Sequence, residues 1–443
     1  MRRALVLLLA VGCVVLAGCS IPFVGHPEEP RGGDAIGWEN GYWYDDPVDV
    51  TTSDGLNESE REAVTARTMA RIERIRDREF TSTVPVEVVS RAEYRDRSRS
   101  NGSGAGPGGD PWNDQVWESL LLVGESEGSD EAISDTRDSS VLGYYSPSED
   151  RIVVVSPSDT PVIDRGTLAH ELVHALQDQQ FGLDGSPETQ DTQLSRNGVV
   201  EGEANYVQRT YEQRCRNGWS CIERPDSDGG GGGSGGGQNS GVFTVIIQPY
   251  VSGPGFIDTV YDRGGWGAVD ALHDDYPDSS EQVIHPERYP GETPVEVTVA
   301  DRSNAEWERF DRDPVGDTVG EASIFATMYH NDRTAADRYS FVSRPSEGWA
   351  GDTVVPYRNG DGGGGYVWES RWDSERDARQ FANAYRGALT GEHDARNPRG
   401  NVYVVPEDSE FADAFRIVRS GRTVRIVNGP TVDDLSGIHR SGG

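Results

Sequence analysis

The amino-acid sequence predicts an α+β protein, with strands and helices segregated along its 443 residues. Three observations carry this expectation. β-rich runs bounded by turn residues precede residue 160, segments of helical period fill the middle, and short strands alternate with helices from about residue 299. The expected organisation is a removable leader over 1–18, a tether over 19–52, a main body over 53–298 and a smaller α+β region over 299–443.

Residues 1–19 read MRRALVLLLAVGCVVLAGC. Arg2 and Arg3 supply a positive start, and the apolar stretch 4–17 is too short for a hydrocarbon core of about 30 Å. Ala17 and Gly18 are small residues directly before Cys19. This pattern resembles the lipobox of prokaryotic lipoproteins. The resemblance implies a lipid on Cys19 and a mature chain outside the cell, held to the membrane only there. Arg2-Arg3 alone is weak support for twin-arginine export. Residues 20–52, rich in Pro, Gly and acids, suit a tether. No later run reaches 18 apolar residues, so no other span is expected.

In the main body, Asn57 can cap a helix reaching about residue 80, with Val64, Met69, Ile72 and Ile75 as its apolar stripe. Residues 84–89 are a strand candidate, 100–112 a loop and 114–123 a short amphipathic helix. The runs 141–145 and 151–156 flank Ser-Pro-Ser-Glu-Asp and read as a hairpin. Helical patterns follow over 165–182, 199–214, 243–261 and 267–274. Between them, 225–241 is a glycine-rich insert. In the last region, 366–372, 402–405 and 423–427 read as strands, and 374–389 and 408–418 as helices. Tryptophans 266, 349, 368 and 372 are expected in packing roles.

The 75 acidic residues comprise 41 Asp and 34 Glu; all 41 cations are arginine, so the net charge is −34. Such a chain lacks the cation clusters that neutralise nucleic-acid phosphates, and it disfavours anionic lipid surfaces. Self-repulsion at this charge opposes compaction at low salt. At molar salt the Debye length falls to about 3 Å. The lysine-free, Asp-rich composition resembles that of extreme halophiles.

Four cysteines are present. Cys13 lies in the leader and Cys19 is the expected lipid attachment point. Cys215 and Cys221 remain, and outside the cell a disulfide is their default.

His170-Glu171-Leu172-Val173-His174 falls inside the 165–182 helix. Residues i and i+4 share a helix face, so both imidazoles can address one ion. Neutral imidazole suits Zn2+, and Glu171 is one position from the first histidine, where a hydrolase needs a base beside an activated water. Chance placement of 8 His and 34 Glu in 443 residues gives about 0.01 such matches. A third ligand is expected from Glu201, on the next helix. Glu203, two residues on, should face the other way. Three protein ligands leave one zinc position open, the catalytic arrangement.

His170-Glu171-Leu172-Val173-His174-Ala175-Leu176-Gln177-Asp178-Gln179 followed by Glu201-Gly202-Glu203-Ala204 resembles the gluzincin metallopeptidases. The closer likeness is to haloarchaeal surface lipoproteins of that type, which also carry a segment like 282–289. The resemblance covers about 140–300 well and the rest loosely. It implies a zincin-like core over 53–298, Zn2+ on His170, His174 and Glu201, Glu171 as general base, and a peptide or protein substrate. Residues 151–156 are expected as the edge strand that pairs with substrate. His285 is a candidate transition-state donor; His330 and Tyr206 are weaker ones. Asn205 and Asp178, each four residues after a ligand, could accept a proton from a ligand histidine. The same features allow a non-catalytic surface lipoprotein in adhesion or envelope structure. A solute-binding lipoprotein would need repeated strand–helix units before residue 300, which the pattern lacks.

Overall fold

A computed structural model describes residues 35–51, 55–101, 109–156, 162–185, 187–223 and 238–440. The leader, Cys19 and most of the glycine-rich insert lie outside the described residues. The chain is mixed α+β, as expected. A short hairpin, β1 (Trp38–Glu39) and β2 (Tyr42–Trp43), precedes helix α1 (Glu58–Arg76). This part of the expected tether is folded. Gly37 N–H donates to the Glu73 carboxylate at 2.8 Å, and Arg71 reaches the Tyr44 carbonyl at 2.7 Å. Asn57 caps α1 in a reciprocal box with Glu60.

Next come β3 (Val86–Ser90), α2 (Arg91–Asn101), α3 (Pro111–Ser119), α4 (Ser129–Ser140), β4 (Gly143–Ser146) and β5 (Arg151–Ser156). The three strands form one sheet in the order β3-β5-β4. β5 pairs parallel with β3 and antiparallel with β4. The expected hairpin forms, but 151–156 is the central strand and β4 is the edge. Val153, Val154 and Val155 show why: the strand is buried on both faces.

The helical middle contains α5 (Arg165–Phe181), α6 (Gln190–Arg216), α7 (Ser240–Asp274) and α8 (Ser280–Ile284). α6 starts nine residues before the expected 199, because Thr189 and Thr192 make a capping box. α7 is interrupted by non-helical backbone at Gly264 and Gly265, the latter at φ 64°, near the expected gap. Gly198, Gly202 and Gly253 let α6 and α7 cross at backbone contact. A Cβ on Gly202 would lie 2.6 Å from the Gly253 carbonyl carbon. Cys215, in the last turn of α6, forms the expected disulfide with Cys221 beyond it.

The last region holds β6 (Trp307–Arg309), α9 (Gly320–His330), β7 (Trp349–Asn359), β8 (Gly364–Trp372), α10 (Glu375–Gly391), β9 (Arg396–Arg399), β10 (Val402–Val404), β11 (Ala414–Ser420), β12 (Thr423–Gly429) and α11 (Asp434–Ile438). Its strands make one antiparallel sheet ordered β6-β7-β8-β12-β11-β10-β9. The helix expected over 408–418 is mainly strand β11. Its Phe-Arg-Ile-Val run is β-prone, and a two-residue turn at Gly421 (φ 58°) pairs Ser420 with Thr423. The largest core joins Trp112, Trp117 and Val245 to Trp349, Trp368 and Phe381. Residue 299 therefore does not divide the core. Among the described residues no helix is long and apolar enough to cross a membrane.

Candidate metal centre

Asp164 starts α5 by accepting from Thr167 N–H at 2.8 Å. One turn later His170 and His174 stand side by side, with Nε2 atoms 3.1 Å apart and rings nearly perpendicular. Glu201 on α6 closes the group. Its Oε2 lies 3.2 Å from His170 Nε2 and 3.3 Å from His174 Nε2. One donor atom from each residue lies within 4.8 Å of the others. The structure thus brings together the three residues expected as ligands. Two imidazoles and a carboxylate suit zinc.

Glu203 is turned the other way, as its spacing demands. Arg76 and His273 pair with its carboxylate, the latter at 2.8 Å. Gln177 Nε2 also donates to it at 2.9 Å and to the Val200 carbonyl at 3.0 Å. That fixes the orientation of Gln177, so its Oε1, 2.9 Å from His174 Nδ1, must be the acceptor there. Neutral His174 then keeps its proton on Nδ1 and presents a lone pair from Nε2. The sequence reading gave such a role to Asp178 or Asn205; neither takes it. Asp178 accepts from Tyr145 O–H and Leu183 N–H, both at 2.8 Å. Asn205 donates to the Glu201 backbone carbonyl at 2.9 Å. One helical turn, at i+3, is the spacing that brings Gln177 under His174.

Electrostatics divide the site. Burial alone would raise Glu201, but His174 and His170 hold it well below the usual carboxylate range. Burial likewise opposes the charge on His174, which Glu201 pulls up to about 9. Glu171 is buried, and desolvation pushes its carboxyl up against the pull of the two histidines. The Tyr145 backbone amide on edge strand β4 donates to it. Gly143 leaves room for Glu171, whose Cγ would lie 3.3 Å from a Cβ there.

These residues open into a cleft of about 1220 Å³. Edge strand β4 forms one wall, Val245 and Tyr250 of α7 another, and residues 312–317 of the last region a third. Residues 308–439, in the last region, are similar to a domain of unknown function (DUF8575). No curated protein and no solved structure matches the chain. The matched segment supplies cleft wall at Arg312 and Asp317 but none of the three histidine and glutamate groups.

His285, expected as a donor to the reaction, does not line the cleft. It sits at the end of α8 with Nε2 3.2 Å from the buried Glu321 carboxylate. His330 bonds Thr244 at 2.8 Å, and Tyr206 packs among Tyr261 and Trp266. The sequence reading missed Tyr250. Its ring stacks on His170 at 6.4 Å and is 42 % exposed to the cleft. Desolvation and a hydrogen bond to Glu201 push its phenol well up, so it stays a proton donor. No local pattern marks it, because the glycine crossing of α6 and α7 is what sets where α7 lies.

Proposed function

We propose that this protein is a zinc-dependent metallopeptidase carried outside the cell on a lipid at Cys19. The observation that carries the reading is the convergence of His170, His174 and Glu201 beside Glu171 at the base of a cleft. An α5 active-site helix under a small sheet, with the third ligand on a following helix, is the layout expected of a zincin core. The disulfide between Cys215 and Cys221 suits an oxidising compartment.

His170 Nε2, His174 Nε2 and Glu201 Oε2 would hold the zinc. When bound, zinc supplies Lewis-acid polarisation and makes water acidic enough to attack at neutral pH. Glu171 takes the proton from the attacking water and returns it to the leaving nitrogen; its raised, desolvated carboxyl favours both transfers. β4, the sheet edge on the cleft wall, offers backbone to an extended peptide. Tyr250 replaces His285 as the donor to developing negative charge on the carbonyl oxygen.

Two measurements test this in high salt. Metal analysis should find one zinc per chain in wild type and loss of it in His174→Ala. Glu171→Gln should retain zinc and lose peptide cleavage. Zinc without cleavage in wild type would favour the adhesion or envelope role; no zinc at all would end the peptidase reading and the metal-bound form of the other.

A further inference from the structure

A second cluster of candidate ligands joins α3 to the last sheet. Glu118 near the end of α3, Glu125 in the loop beyond it and Asp413 just before β11 each bring a carboxylate oxygen within 4.8 Å of the others. Glu118 and Asp413 are 3 % and 6 % exposed, whereas Glu125 is open to solvent. The charges that act on Glu118 and Asp413 are carboxylates: each other, Glu125, Asp114 and Asp434. Buried carboxylates so gathered need a compensating positive charge or retained protons.

A second observation points to a ligand. Asn428 of β12 is fully buried and its amide group shares a hydrogen bond with Asp413, yet its carboxamide oxygen is without a partner. Glu118 Oε1 is also without a partner, while its Oε2 is held by Gln115 Nε2 at 2.7 Å. Buried polar atoms are rarely left this way. A bound cation would give the two unpartnered oxygens, Glu118 Oε1 and Asn428 Oδ1, a positive partner.

We propose that Glu118, Glu125, Asp413 and the Asn428 carboxamide oxygen form a binding site for a hard divalent cation of the calcium class. The donor set is all oxygen, with neither imidazole nor thiolate. Glu125 opens one side to water, which fills the remaining positions of a flexible six-to-eight-ligand shell. The ligands come from α3, its following loop and two neighbouring segments of the last sheet. The ion therefore ties the first half of the chain to the matched region, where Tyr385 O–H already donates to the Ser119 carbonyl at 3.0 Å. It shares no residue with the histidine centre and does not depend on the peptidase reading.

The test uses the full chain, stripped of divalent ions and held in molar KCl so that general screening stays constant. Calcium should raise the melting temperature saturably, with a midpoint between about 10⁻⁵ and 10⁻³ M. Terbium should bind in its place, with luminescence excited through nearby tryptophan, and calcium should displace it. Glu125→Gln, at an exposed position that folding tolerates, should weaken both effects about tenfold or more. His170→Ala should leave them unchanged. No saturable calcium effect in wild type up to about 10 mM would overturn the proposal. So would an unaltered response in Glu125→Gln, or its loss in His170→Ala.

Discussion

The crossing of α6 and α7 makes a quantitative demand. Replacing Gly202 with Ala places a Cβ 2.6, 2.7 and 2.8 Å from the carbonyl carbon, oxygen and Cα of Gly253. Carbon contacts relax only near 3.5–4.0 Å, so the helices must part by roughly 1 Å. Overpacking of this kind costs about 1–3 kcal/mol, against about 1 kcal/mol gained from alanine's helix propensity. The net expectation is a loss of up to about 2 kcal/mol, or up to roughly 2 °C in melting temperature at about 2.1 cal/mol/K of unfolding entropy per residue. Glu201 is the neighbouring residue, so the same displacement should pull it from His170 and His174 and weaken zinc binding about tenfold or more. Gly255→Ala is the matched control: the position is on α7 and a Cβ there meets nothing within 4 Å. It should stabilise by up to about 1 kcal/mol and leave zinc unchanged. Paired melting curves and chelator competition read both effects. Equal behaviour of the two variants would refute the close-crossing argument.

Three further outcomes are expected. Gln177→Leu removes the acceptor from His174 Nδ1 and should lower zinc affinity about 10–100-fold in a chelator competition, with Glu171 intact. Tyr250→Phe should keep zinc and KM but cut kcat about 10²–10³-fold in a peptide assay; unchanged kcat would remove the phenol from the reaction. The third concerns pH. Burial raises Asp352 to about 8 and Asp191 and Asp317 to about 7. Their folded values exceed the unfolded value of about 3.9, so the folded state holds protons that the unfolded chain has released. That stability is full below about pH 4 and is lost as pH rises towards 8. Asp352→Asn should flatten part of the fall between pH 5 and pH 8 in denaturant titrations at constant salt.

Local rules made the capped α1, the β4–β5 hairpin, α5 and α10 legible, because each rests on turn, cap or period signals within a few residues. They failed where distant contacts decide. α6 begins earlier than its apolar period suggests, since a threonine capping box extends it. Residues 414–420 are strand because β12 and β10 pair on either side, a constraint invisible in the segment itself. At the site, His170 and His174 were legible from spacing on one helix. Gln177 was reachable by the same i+3 logic. Tyr250 was not, because its position depends on α7 crossing α6 at three glycines. His285 was misplaced because a neighbouring motif says nothing about which cavity a side chain enters, and buried Glu321 claims it.

The choice between Glu201 and Glu203 shows how an acidic chain selects one carboxylate as a ligand. The two lie about 200° apart around α6, so only one can face α5. Arg76, His273 and Gln177 all converge on Glu203, and Trp266 covers the Arg76 guanidinium at 4.1 Å. Those partners neutralise Glu203 in place and leave it no reason to turn. Glu201 is held by the two histidines and the Tyr250 phenol, a less complete answer to a buried charge than the guanidinium at Glu203. Gln177 joins the halves: its amide nitrogen holds Glu203 while its oxygen sets the His174 tautomer. The arginine network around Glu203 on α6 therefore orients His174 on α5 through Gln177.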